Sequence, residues 1–374
     1  MTTGPLPGVD DPRLAASPSR EHVPSDPVGA WIATLDPGYF AVVMATGIVS
    51  IGSRLFGHIL LADVLLVATI VAFVVLTLAY AMRAIRFPQR FASTLRAPSS
   101  AVSYFTVVAG TNVLATGLLA HGTWLLSLVL GSAAFLLWLA LTYGLLGSIV
   151  LAGNHPTLRE ITGVWLVWVV GTQSVAVLAT VLAPQLPWSI GQEMLGAAAV
   201  LFWGVGVVLY LILVVIIFLR LFLIETTPAE MGPAYWILMG ATAISVRAAA
   251  GILDVGTSDP TPLLDAMRPF VSGFSVVLWS FGSWFIPMLI VFGLWRYFVR
   301  RFPWSYEPKL WSMVFPLGMY AAATGTLGQA IGFDFMNQLA AVWVWFGVAA
   351  WGLVVALLLG SAVMAVRRRS RDTP

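Results

Sequence analysis

Leu195–Leu219 reads LGAAAVLFWGVGVVLYLILVVIIFL, 25 residues without a charge and with a single hydroxyl, that of Tyr210. Crossing the hydrocarbon core of a bilayer takes about 20 apolar residues in an α-helix. This stretch is therefore predicted to span a membrane, and it has nine counterparts along the chain. The predicted helices are Gly38–Phe56, Ile59–Ala84, Ser100–Ala120, Trp124–Ala152, Ile161–Leu182, Gly191–Leu223, Ala234–Leu253, Leu264–Tyr297, Leu310–Ile331 and Leu339–Val366, numbered helix 1 to helix 10. They take up most of the 374 residues and leave no room for a second folded unit. Only 9% of the residues are charged, against about 25% in soluble domains.

Polar groups in these helices alternate. Each odd-numbered helix carries a small residue beside a threonine near mid-span: Ala45-Thr46-Gly47, Gly110-Thr111-Asn112, Gly171-Thr172-Gln173, Gly240-Ala241-Thr242 and Ala323-Thr324-Gly325. Helices 6 and 10 are almost plain hydrocarbon, whereas helix 8, with Ser272, Ser275, Ser280 and Ser283, departs from the alternation. Lipid cannot satisfy a polar group, so the odd helices are expected to face one another and the even ones to face outward. The couplets recur at spacings of 65, 61, 70 and 82 residues, one helical hairpin each. The predicted fold is an all-α integral membrane protein: five tandem hairpins with quasi-five-fold symmetry, and an inner ring of odd helices around a pore. Small residues also allow close helix packing, which is the competing reading of any single couplet.

Charge gives the orientation. With the N-terminus cytoplasmic, sixteen of the nineteen Lys and Arg fall on that side, Arg54 and Arg268 fall opposite, and only Arg247 lies within a span. The excess of Lys and Arg on one side predicts cytoplasmic termini and a multi-pass protein of the cell membrane. Residues 1–33, rich in Pro, Asp and Ser, read as a disordered cytoplasmic tail. Residues 34–366 form the transmembrane domain and 367–374 a basic tail. The pI of 9.4 reflects these loops and does not indicate a nucleic-acid partner. Trp31, Trp124, Trp188, Trp304 and Trp311, near helix ends, read as interfacial anchors.

Arg247 is the sharpest candidate for function. An arginine at the centre of a spanning helix costs roughly 2.5–3.5 kcal/mol, so it is expected to face protein or water and to attract an anion. The alternative is an arginine that snorkels to the interface or pairs with an acid such as Asp254. The acidic residues lie at helix ends or in loops, and the four histidines lie in the tail or connections. Proton-coupled carriers place such groups near the midplane, so their distribution favours passive conduction of an anion. The candidate pore-lining set is Arg247, Thr46, Gly47, Thr111, Asn112, Thr172, Gln173, Thr242, Ser245 and Thr324. On helix 9, Pro316 removes a backbone donor and is expected to bend the helix, turning Phe315. No phosphate-cradling loop, zinc-protease motif or nucleophile elbow is present. No cofactor or metal is expected, ATP-driven pumping is not, and the absence of cysteine excludes thiolate chemistry. A membrane enzyme built on Asp254, Asp259, Asp265 and Arg268 is the reading from another class, against a solvated loop.

Two stretches resemble a known family. Asp36-Pro37-Gly38-Tyr39-Phe40-Ala41-Val42-Val43-Met44-Ala45-Thr46-Gly47-Ile48-Val49-Ser50 is similar to the first-helix signature of the tellurite-resistance/dicarboxylate transporter family. Trp311 to Met319, with Phe315-Pro316, resembles its ninth-helix motif. The family takes in bacterial tellurite-resistance proteins, fungal malate and sulfite transporters, and plant guard-cell slow anion channels. The resemblance implies a homotrimer, each protomer with its own pore, and a gating phenylalanine, carried onto Phe315 with Tyr320 as the neighbouring alternative. It implies a small anion as substrate. Arg247 departs from the uncharged pores of the channel-like members. That leaves a secondary carrier for a C4-dicarboxylate, sulfite or tellurite-type oxyanion as the second reading.

Overall fold

The computed structural model describes residues 26–258 and 261–372. The predicted tail up to residue 25, Asp259 and the last two residues lie outside the described residues. Ten long helices are present among them: Pro37–Leu55, Ile59–Arg86, Pro98–Leu119, Trp124–Val150, Gly163–Gln185, Ser189–Leu223, Pro233–Thr257 and Pro262–Val299, then Trp311–Ile331 and Asp334–Asp372. Nine are long and apolar enough to cross a membrane on their own. The exception is helix 9, diluted by Pro316, Gly318, Thr324 and Thr326 and enclosed along most of its length.

The odd helices pack in a closed ring, helix 1 on 3, 3 on 5, 5 on 7, 7 on 9 and 9 back on 1. Each even helix lies outside, against its own hairpin partner and the next odd helix. Between 67% and 89% of each inner span is buried for helices 1, 3, 5 and 7, against 17–44% for the outer ones. Alternation in polarity and alternation in burial therefore coincide. The hairpins bring the chain back to one face after every second helix. That face, with residue 26 and the end of helix 10, is called here the near face, and the opposite one the far face.

Each inner helix enters from the near face through a 3₁₀ turn: Pro37–Phe40, Val102–Tyr104, Gly163–Leu166, Pro233–Trp236 and Pro308–Leu310. Successive turns touch around the axis and form a closed rim. Three of them begin with proline, whose missing N–H falls where a helix has no intrahelical acceptor. The rim approaches closely at Gly163, where a Cβ would stand 2.5 Å from the Ala234 carbonyl oxygen.

Arginines at the near ends of outer helices tie this rim down. Arg83 donates to the Leu35 carbonyl at 2.7 Å and to the Tyr104 hydroxyl at 3.5 Å. Arg220 donates to the Arg159 carbonyl at 3.0 Å and to the Tyr235 hydroxyl, and Arg296 to Glu307 at 2.9 Å. Their exposures are 4%, 0% and 2%, so these three charges, expected in solvated loops, are buried. Two short helices also depart from expectation. Pro27–Ala33, in the stretch expected to be disordered, is capped by Asp26 and buries Ile32 and Ala33 beside Phe87. Pro88–Arg96 forms a polar helix between helices 2 and 3.

Candidate functional site: the axial cavity and its near vestibule

Two spaces lie along the ring. At the near face a vestibule of about 400 Å³ is lined by all five inner helix starts, including Gly38, Thr106, Val167, Ile237 and Ser312. Three carboxylates border it, each already engaged. Asp36 accepts from the Gly38 N–H at 2.7 Å, Glu160 from the Thr157 N–H at 2.7 Å, and Glu307 from Arg296. The Thr157 N–H, with the Thr157 hydroxyl, holds the Glu160 carboxyl below the usual carboxylate range. Lys309 also borders the vestibule and makes no ion pair among the described residues.

Deeper, a small cavity of about 20 Å³ receives Ile48, Asn112, Ser174, Arg247 and Met319, one from each inner helix. It has room for about one water-sized species. The Asn112 amide donates to the Ser174 hydroxyl at 2.9 Å, and its carbonyl oxygen has no partner. Arg247 makes no ion pair or hydrogen bond among the described residues. Asp254, the acid whose charge reaches it, lies seven residues along the helix, about 10 Å by helix rise. The direct pairing considered as an alternative is therefore not formed.

Between the two spaces no opening remains. From Val167 to Ser174, Ile237 to Ile244 and Ser312 to Met319 is seven residues on each helix, a plug of about 10 Å. Phe315, fully buried, and Pro316 occupy that interval on helix 9. At that level the other inner helices carry small residues, of which Gly110 packs on Phe40 and Gly171 on Phe105. A Cβ at Gly240 would stand 2.7 Å from the Pro316 ring. Tyr320, the alternative to Phe315, is turned to the outer ring, its hydroxyl 2.7 Å from that of Ser283 and its ring stacked on Trp279.

The threonines point elsewhere than expected. Thr46, Thr172 and Thr324 accept hydrogen bonds from the indole N–H groups of Trp351, Trp138 and Trp279, at 3.1, 2.8 and 2.9 Å. Trp203 donates in the same way to the Ser245 carbonyl at 3.0 Å. Each tryptophan sits on an even helix and reaches the odd helix of the following hairpin, helix 10 closing on helix 1. The cause is helix periodicity. Thr46, Thr172 and Thr242 precede the cavity-lining Ile48, Ser174 and Ile244 by two residues, which turns them about 160° away.

Thr242 lies against Gly282 of helix 8, and Thr111 returns its hydroxyl to the Val107 carbonyl at 2.7 Å. Gln173 donates to the Trp203 carbonyl at 3.2 Å, and the Ser245 hydroxyl bonds the Ala241 carbonyl. Gly47 admits Val113, which a Cβ would approach to 2.6 Å. Of the candidate pore-lining set, the cavity brings together Arg247 and Asn112; Thr111 bonds its own helix, and the others pack between helices. Ser174, Ile48 and Met319 were missed. Their signal is position, one helical face in line with Arg247 or Asn112 across the ring.

A closed ring of five spanning helices around an axial cavity, wrapped by five more, defines a multi-pass membrane protein of the channel or transporter class. The family described as voltage-dependent anion channel matches residues 34–359, and the chain belongs to it. It is also similar to an uncharacterized membrane protein of Mycobacterium tuberculosis, 36% identical over 154 residues, 41% of this chain and 77% of that protein. Two uncharacterized transporters of Methanocaldococcus jannaschii are each 24% identical. One covers 83% of this chain and 90% of its own length, the other 85% and 91%.

Proposed function

We propose that the protein is a passive anion channel or facilitator of the cell membrane, with its near face in the cytoplasm and no enzymatic activity. The observation that carries this reading is Arg247, a guanidinium without an ion-pair partner among the described residues, in a cavity to which all five inner helices contribute. A half-buried cation within the ring favours a small anion as its mobile partner. Two further features support entry from the near side. All five inner helices begin there, so their positive dipole ends surround the vestibule. The basic near-face loops raise the local anion concentration. Phe315 is the gate: it is fully buried in the interval between the vestibule and the cavity, four residues from the cavity-lining Met319. The exposed apolar sides of the outer helices face lipid and, in a homotrimer, neighbouring copies.

Anion flux into proteoliposomes tests both roles. Phe315→Ala is expected to raise flux by roughly tenfold, about 1.4 kcal/mol of barrier, and Arg247→Gln to lower it by a similar factor. An alanine variant with unchanged flux would remove the gate, and a glutamine variant with unchanged flux would remove the anion site. The buried interval between vestibule and cavity also fits a secondary carrier, coupled to protons, for a C4-dicarboxylate, sulfite or tellurite-type oxyanion. Saturable uptake that runs uphill under an imposed pH gradient selects the carrier over the channel.

A further inference from the structure

A second cavity, of about 290 Å³, lies away from the axis, between the near ends of helices 7 to 10. Its walls are hydrocarbon and aromatic: Leu289 and Gly293 from helix 8, Leu310 and Met313 at the start of helix 9, and Leu353 and Leu357 from helix 10. From Leu289 to Arg296 it extends seven residues along helix 8, about 10 Å into the bilayer from the near end. Trp236, Tyr297 and Trp304 stand around it, residue types that concentrate at the level of lipid headgroups.

One wall is charged. Helix 8 ends in a π-helical turn, Trp295–Val299, and Arg296 on that turn lines the cavity while remaining 2% exposed. Its guanidinium lies over the Phe302 ring, 4.0 Å from the centroid, and only Nη2 donates a hydrogen bond, to Glu307 at 2.9 Å, while Nε and Nη1 have no acceptor. Gly232 packs directly against Nη1, which a Cβ there would approach to 2.7 Å. Arg300 and Arg301 follow directly in the chain, outside the cavity lining, the first with its guanidinium over the Trp295 ring. An apolar slot at membrane depth, ending in donors that lack acceptors, is complementary to an anionic amphiphile.

We infer that this cavity is a binding site for an anionic phospholipid of the near leaflet, with an acyl chain in the slot between helices 8, 9 and 10 and the phosphate at Arg296. A lipid seated there would brace Leu310 and Met313, the residues that lead into Phe315. The site does not depend on what passes along the axis.

Native mass spectrometry of the full chain in detergent tests it, by titration with phosphatidylglycerol and, separately, phosphatidylcholine of the same acyl chains. The first phosphatidylglycerol is expected to bind roughly fivefold more tightly, the preference of about one arginine for an anionic headgroup. Arg296→Gln removes that preference. Gly293→Leu, at a position where a Cβ meets nothing within 4 Å, fills the slot and weakens the first binding event by roughly tenfold. It leaves thermal unfolding unchanged, so it carries the test if loss of the Arg296–Glu307 pair prevents folding. Equal affinity for the two lipids, or undiminished binding by Gly293→Leu, overturns the site.

Discussion

Thr172 shows what a mid-membrane hydroxyl is for in this ring. It accepts the Trp138 indole N–H and donates to its own helix at Trp168, so both of its hydrogen-bonding roles are filled away from the axis. Interhelical bonds of this type contribute about 0.6 kcal/mol and at most about 1.7 in membranes. Thr172→Val is therefore expected to lower the unfolding temperature slightly and to leave anion flux unchanged. A thermal melt and a flux assay on one preparation check both, and a large flux change would return Thr172 to the pore. The threonines were legible in the sequence as a pattern, but their facing was not. The couplets alone do not show which side of the helix meets the axis. The missing clue was the mid-span tryptophans on even helices, Trp138, Trp203, Trp279 and Trp351, which need a hydrogen-bond acceptor inside a membrane.

At the scale of elements, hydropathy and length placed nine of the ten helices to within a few residues, because a spanning segment must satisfy its backbone internally and announces itself by its side chains. Helix 10 is the exception, starting at Asp334 and continuing to Asp372 beyond its apolar run. The 3₁₀ rim was not legible, since its signature is only a proline or glycine at the start of four of the five turns. Its tightness gives a prediction. Gly163→Ala would place a Cβ against the backbone of Ala234 and Tyr235, whereas Gly144→Ala meets nothing within 4 Å. The first is expected to cost about 1–3 kcal/mol through overpacking, and the second to be neutral or slightly stabilising by helix propensity. Thermal unfolding of the two variants side by side checks the difference.

For the whole molecule, the sixteen-to-two charge bias was legible, and part of it has a use the count does not reveal. Arg83, Arg220 and Arg296 are buried clamps on the rim, so their location follows from packing as well as from insertion. Topology is checked directly, because the chain has no cysteine and any introduced one is unique. His155→Cys on the near face and Gln185→Cys on the far face are both exposed positions. In intact cells an impermeant thiol reagent is expected to label the second and spare the first. The reverse pattern would invert the orientation.

The contact between Trp351 and Thr46 has a last consequence. It joins the final hairpin to the first by the same kind of bond that joins hairpins already linked by a loop. The architecture thus has a beginning only because translation needs one. Splicing the old ends together with a flexible linker and opening the loop near His155 gives a circular permutant. It is expected to fold and to melt within a few degrees of the parent, as size-exclusion chromatography and a thermal scan would show.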